Sequence, residues 1–67
     1  MATISFRTYK GEAGDLHKLL IGTSSEGIES SQLYNYTGVF ALFRLRRAKR
    51  RICKRLEIIT GKIHTEI

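Results

Sequence analysis

The sequence predicts a small α+β domain, and three of its stretches carry that prediction. Residues 39–60 place apolar side chains at helical spacing. Residues 3–9 alternate apolar and polar side chains, the period of a half-buried strand, and residues 62–67 alternate in the same way. Because a chain of 67 residues can bury only one modest core, we expect a single small domain over residues 1–67.

The N-terminal part, residues 1–21, is predicted to form a strand followed by a short helix. The strand is rich in β-branched and aromatic residues, and its apolar residues Ile4 and Phe6 are separated by polar ones. Asp15 is suited to cap a helix over residues 16–21, because the side-chain oxygen of Asp accepts hydrogen bonds from a first helical turn. So short a helix must dock on another element to be stable.

Residues 22–32 are predicted to form a loop, because serine and glycine dominate them and apolar residues are scarce. Residues 33–36 are either a brief strand or an aromatic hinge. Thr37 is suited to cap the long helix, with Gly38 as its first residue.

The long helix, predicted over residues 39–60, is amphipathic and strongly basic. One helical stripe collects its apolar side chains: Ala41, Leu42, Leu45, Ala48, Ile52, Leu56 and Ile59. Lys49 interrupts that stripe, but its long stem allows the ammonium group to reach solvent. The first turn is apolar on every side, since Val39, Phe40 and Phe43 lie off the stripe. We expect the N-terminal elements to cover it.

After the helix, Gly61 favours a break, and residues 62–67 then form a C-terminal strand that pairs with the N-terminal one. The alternative is a helix that continues past Gly61. The apolar stripe also resembles a short coiled-coil seam. It therefore permits a homodimer through Leu45, Ile52, Leu56 and Ile59.

The net charge of +6 is concentrated in one segment. Residues 44–55 hold eight Lys or Arg side chains and no acidic one, whereas residues 1–43 and 56–67 each carry a charge of −1. Like charges at i,i+4 spacing lower the stability of a helix, so this density indicates a polyanionic ligand rather than a merely solvated face. The predicted contacts are Arg44, Arg46, Arg47, Lys49, Arg50, Arg51, Lys54 and Arg55.

The leading hypothesis is a non-enzymatic regulatory protein that binds the backbone of RNA or DNA. Six of the eight cations are arginines, which bind phosphate bidentately and stack on bases. Tyr34 and Tyr36, just before the helix, are candidates for base stacking; the alternative is that they pack at the helix entrance. Small size and one dense basic helix are typical of viral accessory proteins, and the basic cluster also resembles a nuclear-localisation signal.

Two other classes of partner remain open. Val39, Phe40 and Phe43 are suited to enter the headgroup region of an anionic membrane while the cations bind lipid phosphate. Alternatively, the basic surface receives an acidic segment of another protein. The N-terminus has no apolar stretch typical of a signal peptide, and no apolar run is long enough to cross a bilayer, so an intracellular location in cytoplasm or nucleus is expected.

No catalytic, metal or cofactor motif is found in the sequence, and neither an enzyme nor a bound cofactor is predicted. Cys53 is the single cysteine, which excludes an intrachain disulfide, and the two histidines are far apart. The basic neighbours of Cys53 would lower the pKa of its thiol. The alternative interpretation is a small packing residue at the edge of the apolar stripe.

Overall fold

A computed structural model describes residues 2–11 and 16–67 of the chain. It contains four strands and one helix, in the order β1 (Ala2–Lys10), β2 (His17–Ser24), β3 (Glu29–Asn35), α1 (Ala41–Thr60) and β4 (His64–Glu66). The predicted α+β class is confirmed.

The four strands form one mixed sheet in the order β3-β2-β1-β4. The first three strands are an antiparallel meander, and β4 joins the other edge parallel to β1. The predicted pairing of the two terminal strands is confirmed by a register that places Ala2 opposite His64. Helix α1 connects the two edge strands and packs on one face of the sheet.

The core lies between α1 and that face. Its buried residues come from three strands and the middle of the helix: Ile4, Leu20, Tyr34, Ala48, Ile52 and Leu56. Gly22 allows the close approach of the helix, because a Cβ atom at this position would lie 2.7 Å from Ile52 Cγ2 and 2.9 Å from Ile4 Cδ1. At such distances a side chain at position 22 would force Ile52 or Ile4 to shift, so glycine allows this packing without rearrangement.

The short helix predicted over residues 16–21 is wrong, because residues 17–21 belong to strand β2. Leu20 is buried under α1, whereas Leu19 and Ile21 lie on the opposite face and are half-buried. Pairing with strands on both sides satisfies the backbone groups of these residues, which a six-residue helix could do only poorly. The predicted cap, Asp15, lies outside the described residues.

Most of the loop predicted over residues 22–32 is also strand. Only residues 25–28 turn, and Ser24 organises them: its Oγ accepts hydrogen bonds from the backbone N–H groups of Glu26 at 3.2 Å and Ile28 at 3.1 Å. Gly27 takes a positive φ of 84° within this turn. Of the four serines that indicated a loop, Ser30 and Ser31 lie on β3, an edge strand that solvent reaches, where polar side chains carry little cost.

Residues 33–35 complete β3, which confirms the strand interpretation for most of residues 33–36. The predicted cap at Thr37 is wrong, because α1 begins at Ala41 with Phe40 in the capping position. Gly38 has a φ of 86°, which is not helical. The Thr37 hydroxyl instead donates to Asn35 Oδ1 at 2.6 Å and holds the connection between β3 and α1.

The break after the long helix is confirmed. Gly61 caps α1 in the left-handed conformation, with a φ of 73°, and its N–H donates to the Glu57 carbonyl at 2.7 Å. The chain then leaves the helix and forms the short strand β4.

Candidate functional site

Seven of the eight cations of α1 are exposed, and Lys49 is half-buried. Because Ala48, Ile52 and Leu56 point into the core, helical spacing directs the residues between them toward solvent. Five of the exposed cations make neither an ion pair nor a hydrogen bond with any residue in ranges 2–11 and 16–67. We call them the outer cations: Arg46, Arg47, Arg50, Arg51 and Lys54.

Lys49 is the predicted contact that lies on the inner part of the helix. Its ammonium group is 5.3 Å from the centroid of the Phe6 ring and 3.0 Å from the Glu66 carboxylate of β4. The side chain was expected to reach solvent, but it stays half-buried and ends in an ion pair. Lys49 is partly neutralised, in contrast to the outer cations.

Arg44 and Arg55 make hydrogen bonds to the chain itself. Arg44 Nη1 donates to the Thr37 carbonyl at 2.5 Å. Arg55 Nη1 donates to the Ser31 carbonyl at 2.7 Å and to Ser30 Oγ at 3.1 Å, and its other nitrogen donates to Gln32. Arg55 therefore covers part of the free edge of β3, while both guanidinium groups stay at the surface.

A shallow groove runs between α1 and the edge strand β3. Its central depression, about 160 Å³ in volume, has one arginine-rich wall, Arg44, Arg47 and Arg51, and one wall from β3, residues 32–35. It shares Arg44 and Arg47 with a second depression toward the start of the helix, and Arg51 with a third toward its end. The groove is thus continuous along the helix.

The sequence did not indicate the β3 wall of this groove, because residues 29–32 resemble a loop in composition. Alternation of side chains along this strand was present but weak. The pairing of β3 with β2 places Ser30, Gln32 and Tyr34 on the helix side of the sheet. A strand whose inward residues are mostly polar gives little hydrophobic signal.

The two tyrosines predicted to stack on bases occupy different environments. Tyr34 is only 9% exposed and belongs to the core, so its ring is not available to a ligand. Tyr36 is half-buried, and the Lys18 ammonium group lies 4.8 Å from the centroid of its ring. The alternative interpretation, packing at the helix entrance, describes both residues better.

The first turn of the helix is exposed, so the expectation that other elements cover it is wrong. Phe40 is 59% and Phe43 62% exposed, and their ring centroids are 6.1 Å apart. Val39 and Leu42 are exposed beside them. A helix of 20 residues is about 30 Å long, and the buried segment from Ala48 to Leu56 rises only about 12 Å, so both ends extend past the packed part.

The residues proposed for a homodimer seam are largely used within the chain. Ile52 and Leu56 have no exposed surface, and Leu45 packs on the core; only Ile59 of the four is exposed. The helix would have to leave the sheet before this stripe could meet a second copy.

Among the described residues, two ionisable groups have shifted pKa values. Burial raises the pKa of the Cys53 thiol, and the Glu66 charge adds to this rise, while the nearby Lys49 opposes it only in part. The expected lowering is therefore wrong, and Cys53 packs against the core as a small apolar residue. A hydrogen bond from the Lys62 ammonium group, together with its charge, lowers the pKa of Glu26.

In the described part of the chain, no three His, Cys, Asp or Glu side chains come together as a metal-binding set. No helix among residues 2–11 and 16–67 has both the length and the apolar character needed to cross a membrane. Comparison of the chain with protein-family models, with curated proteins and with solved structures gives no match, so the site is interpreted from its own geometry.

Proposed function

We propose that this protein binds nucleic acid without catalysing a reaction, and that the outer cations hold the phosphate backbone. The observation that carries this proposal is the uncompensated charge of α1. The chain pairs Lys49 with Glu66 and Lys62 with Glu26, yet no acidic side chain in the described residues neutralises the outer cations.

The outer cations lower the stability of the helix, which is best explained if they serve a function. Neighbouring cations on one helical surface repel each other, and the first turn of α1 contains no acidic residue that would interact favourably with the helix dipole. A polyanion that binds this surface removes the repulsion. Arginine suits phosphate in particular, because its planar group donates two parallel hydrogen bonds to two phosphate oxygens.

The test is a salt titration of binding to RNA and to duplex DNA, with the double variant Arg50→Gln/Arg51→Gln beside the wild type. Both side chains are exposed, and glutamine is a good helix former, so the fold is expected to persist. Loss of two phosphate contacts is expected to weaken binding about tenfold or more. It also reduces the slope of log K against log salt by about 1.4 for a single strand and about 1.8 for a duplex.

The matched control is Arg7→Gln/Lys10→Gln, which removes the same charge from exposed positions on β1. If the outer cations form the site, this control changes affinity by less than about threefold through long-range attraction alone. Equal losses in the two variants would show that overall charge governs binding, and the proposed site would be wrong.

A second candidate is docking on an anionic membrane, and one observation favours it: the exposed apolar cluster of Val39, Phe40, Leu42 and Phe43 beside the cations. Liposomes containing phosphatidylserine separate the two candidates. Binding to them that survives high salt would favour the membrane, because insertion of apolar side chains is insensitive to ionic screening, whereas phosphate contacts weaken.

A further inference from the structure

We infer that Phe40 and Phe43 are a stacking site for unpaired bases, so that the groove along α1 takes a single strand of nucleic acid rather than a duplex. This inference rests on the proposed function and specifies the ligand of the same surface. Its basis is the exposure of these two rings. Among the described residues, Phe40 and Phe43 are the only aromatic side chains that are more than half exposed.

The Phe pair adjoins the arginines directly. Phe40, Phe43, Arg44 and Arg47 line one shallow depression of about 270 Å³. The two rings are inclined by 44° and do not stack face to face on each other, so each leaves a surface to solvent. Aromatic rings beside a cationic track are the arrangement by which single strands are bound: the cations follow the backbone, and the rings stack on bases regardless of sequence.

The shape of the groove agrees with a strand. From Phe43 to Arg55 the helix rises about 18 Å, and the three depressions along this length share their lining residues. The arginines that line it, Arg44, Arg47, Arg51 and Arg55, all face β3 along one flank of α1. In a paired helix the bases are stacked inside and do not offer a face to Phe40 or Phe43, so stacking requires unpaired nucleotides.

The experiment compares two double variants of the same apolar cluster, Phe40→Ala/Phe43→Ala and the matched control Val39→Ala/Leu42→Ala. Both remove exposed apolar surface from one end of α1, but only the first removes aromatic rings. Affinities are measured for labelled oligo-U RNA and oligo-dT DNA of about twelve nucleotides, for duplexes of equal length and for phosphatidylserine liposomes. Thermal unfolding of each variant checks the fold.

The expected result is a loss of about tenfold or more for single strands in the Phe40→Ala/Phe43→Ala variant, with duplex binding and the control variant within about twofold of wild type. The salt slope should stay unchanged, because the arginines remain. Phe40→Tyr/Phe43→Tyr should restore single-strand affinity, since tyrosine keeps an aromatic face. Comparison of the affinities for oligo-U RNA and oligo-dT DNA then shows whether the protein distinguishes ribose from deoxyribose.

Equal losses in the two alanine variants, or no loss in either, would overturn the inference, and so would a loss confined to liposomes. These failures leave the proposed function standing if Arg50→Gln/Arg51→Gln still weakens nucleic-acid binding. A wild-type protein that binds no nucleic acid would contradict both.

Discussion

The two faces of α1 differ in what their residues do. On the inner face, Ala48, Ile52 and Leu56 are buried against the sheet and tie the helix to three strands. On the outer face, the exposed cations contact no acidic partner in the described part of the chain and contribute nothing to the core. The side chains that stabilise the fold and those proposed to bind nucleic acid are therefore different residues of one helix, and we expect that each set can be changed without the other.

The largest expected effect comes from breaking the inner face with Ile52→Ala. This side chain has no exposed surface and lies against Gly22, so its removal leaves a cavity where the helix meets the sheet. The free energy of unfolding should fall by about 3 kcal/mol. That is a large part of the total free energy of unfolding of a domain of this size. Urea denaturation followed by circular dichroism measures it.

The control for Ile52→Ala is Arg50→Gln/Arg51→Gln in the same assay. The free energy of unfolding of this double variant should lie within about 0.5 kcal/mol of wild type, because both side chains are exposed and their loss relieves repulsion. A comparable loss in both would mean that the two faces are not independent.

A smaller effect is expected from Glu66→Gln, at the boundary between the faces. The variant breaks the ion pair with Lys49, in which both side chains are partly exposed. The free energy of unfolding should fall by about 0.5 kcal/mol at low salt and by nothing measurable in 1 M NaCl. The variant also frees Lys49 as an additional cation. Nucleic-acid binding should therefore strengthen slightly, with a steeper salt slope; weaker binding would show that Glu66 supports the site.

The smallest effect is expected from Glu26→Gln, which breaks an ion pair away from α1. Because Lys62 lowers the pKa of Glu26 in the folded state, this carboxylate contributes stability above its unfolded pKa of 4.5, and the contribution is lost as the pH falls through the lower, folded value. Wild type and variant should thus differ slightly in melting temperature at pH 7 and coincide well below pH 4.5. A difference that grows at low pH would contradict this assignment.

The sequence by itself determined the helix, its basic face and the two terminal strands. Those elements have strong periodic signals, and the end of the helix is marked by Gly61, whose left-handed conformation ends α1. The arginine cluster was also visible directly, since charge density needs no tertiary structure to be recognised.

Only the tertiary structure decided what residues 16–36 do. Leu16 to Ile21 suits a short helix or a strand equally by local pattern, and pairing between two neighbouring strands selects the strand. Gly22 resembles a loop glycine, but the approach of Ile52 makes it a packing position within β2. Ser30 and Ser31 resemble part of a linker because the edge strand β3 tolerates polar side chains.

The same limit applies to the site. Tyr34 and Phe40 are both aromatic residues near the start of the helix, and local sequence does not tell which of them is buried. The register of β3 places Tyr34 under α1, whereas the helix extends past its packed segment and leaves Phe40 and Phe43 in solvent. Exposure depends on which elements happen to cover a residue, and that is a property of the assembled fold rather than of the segment.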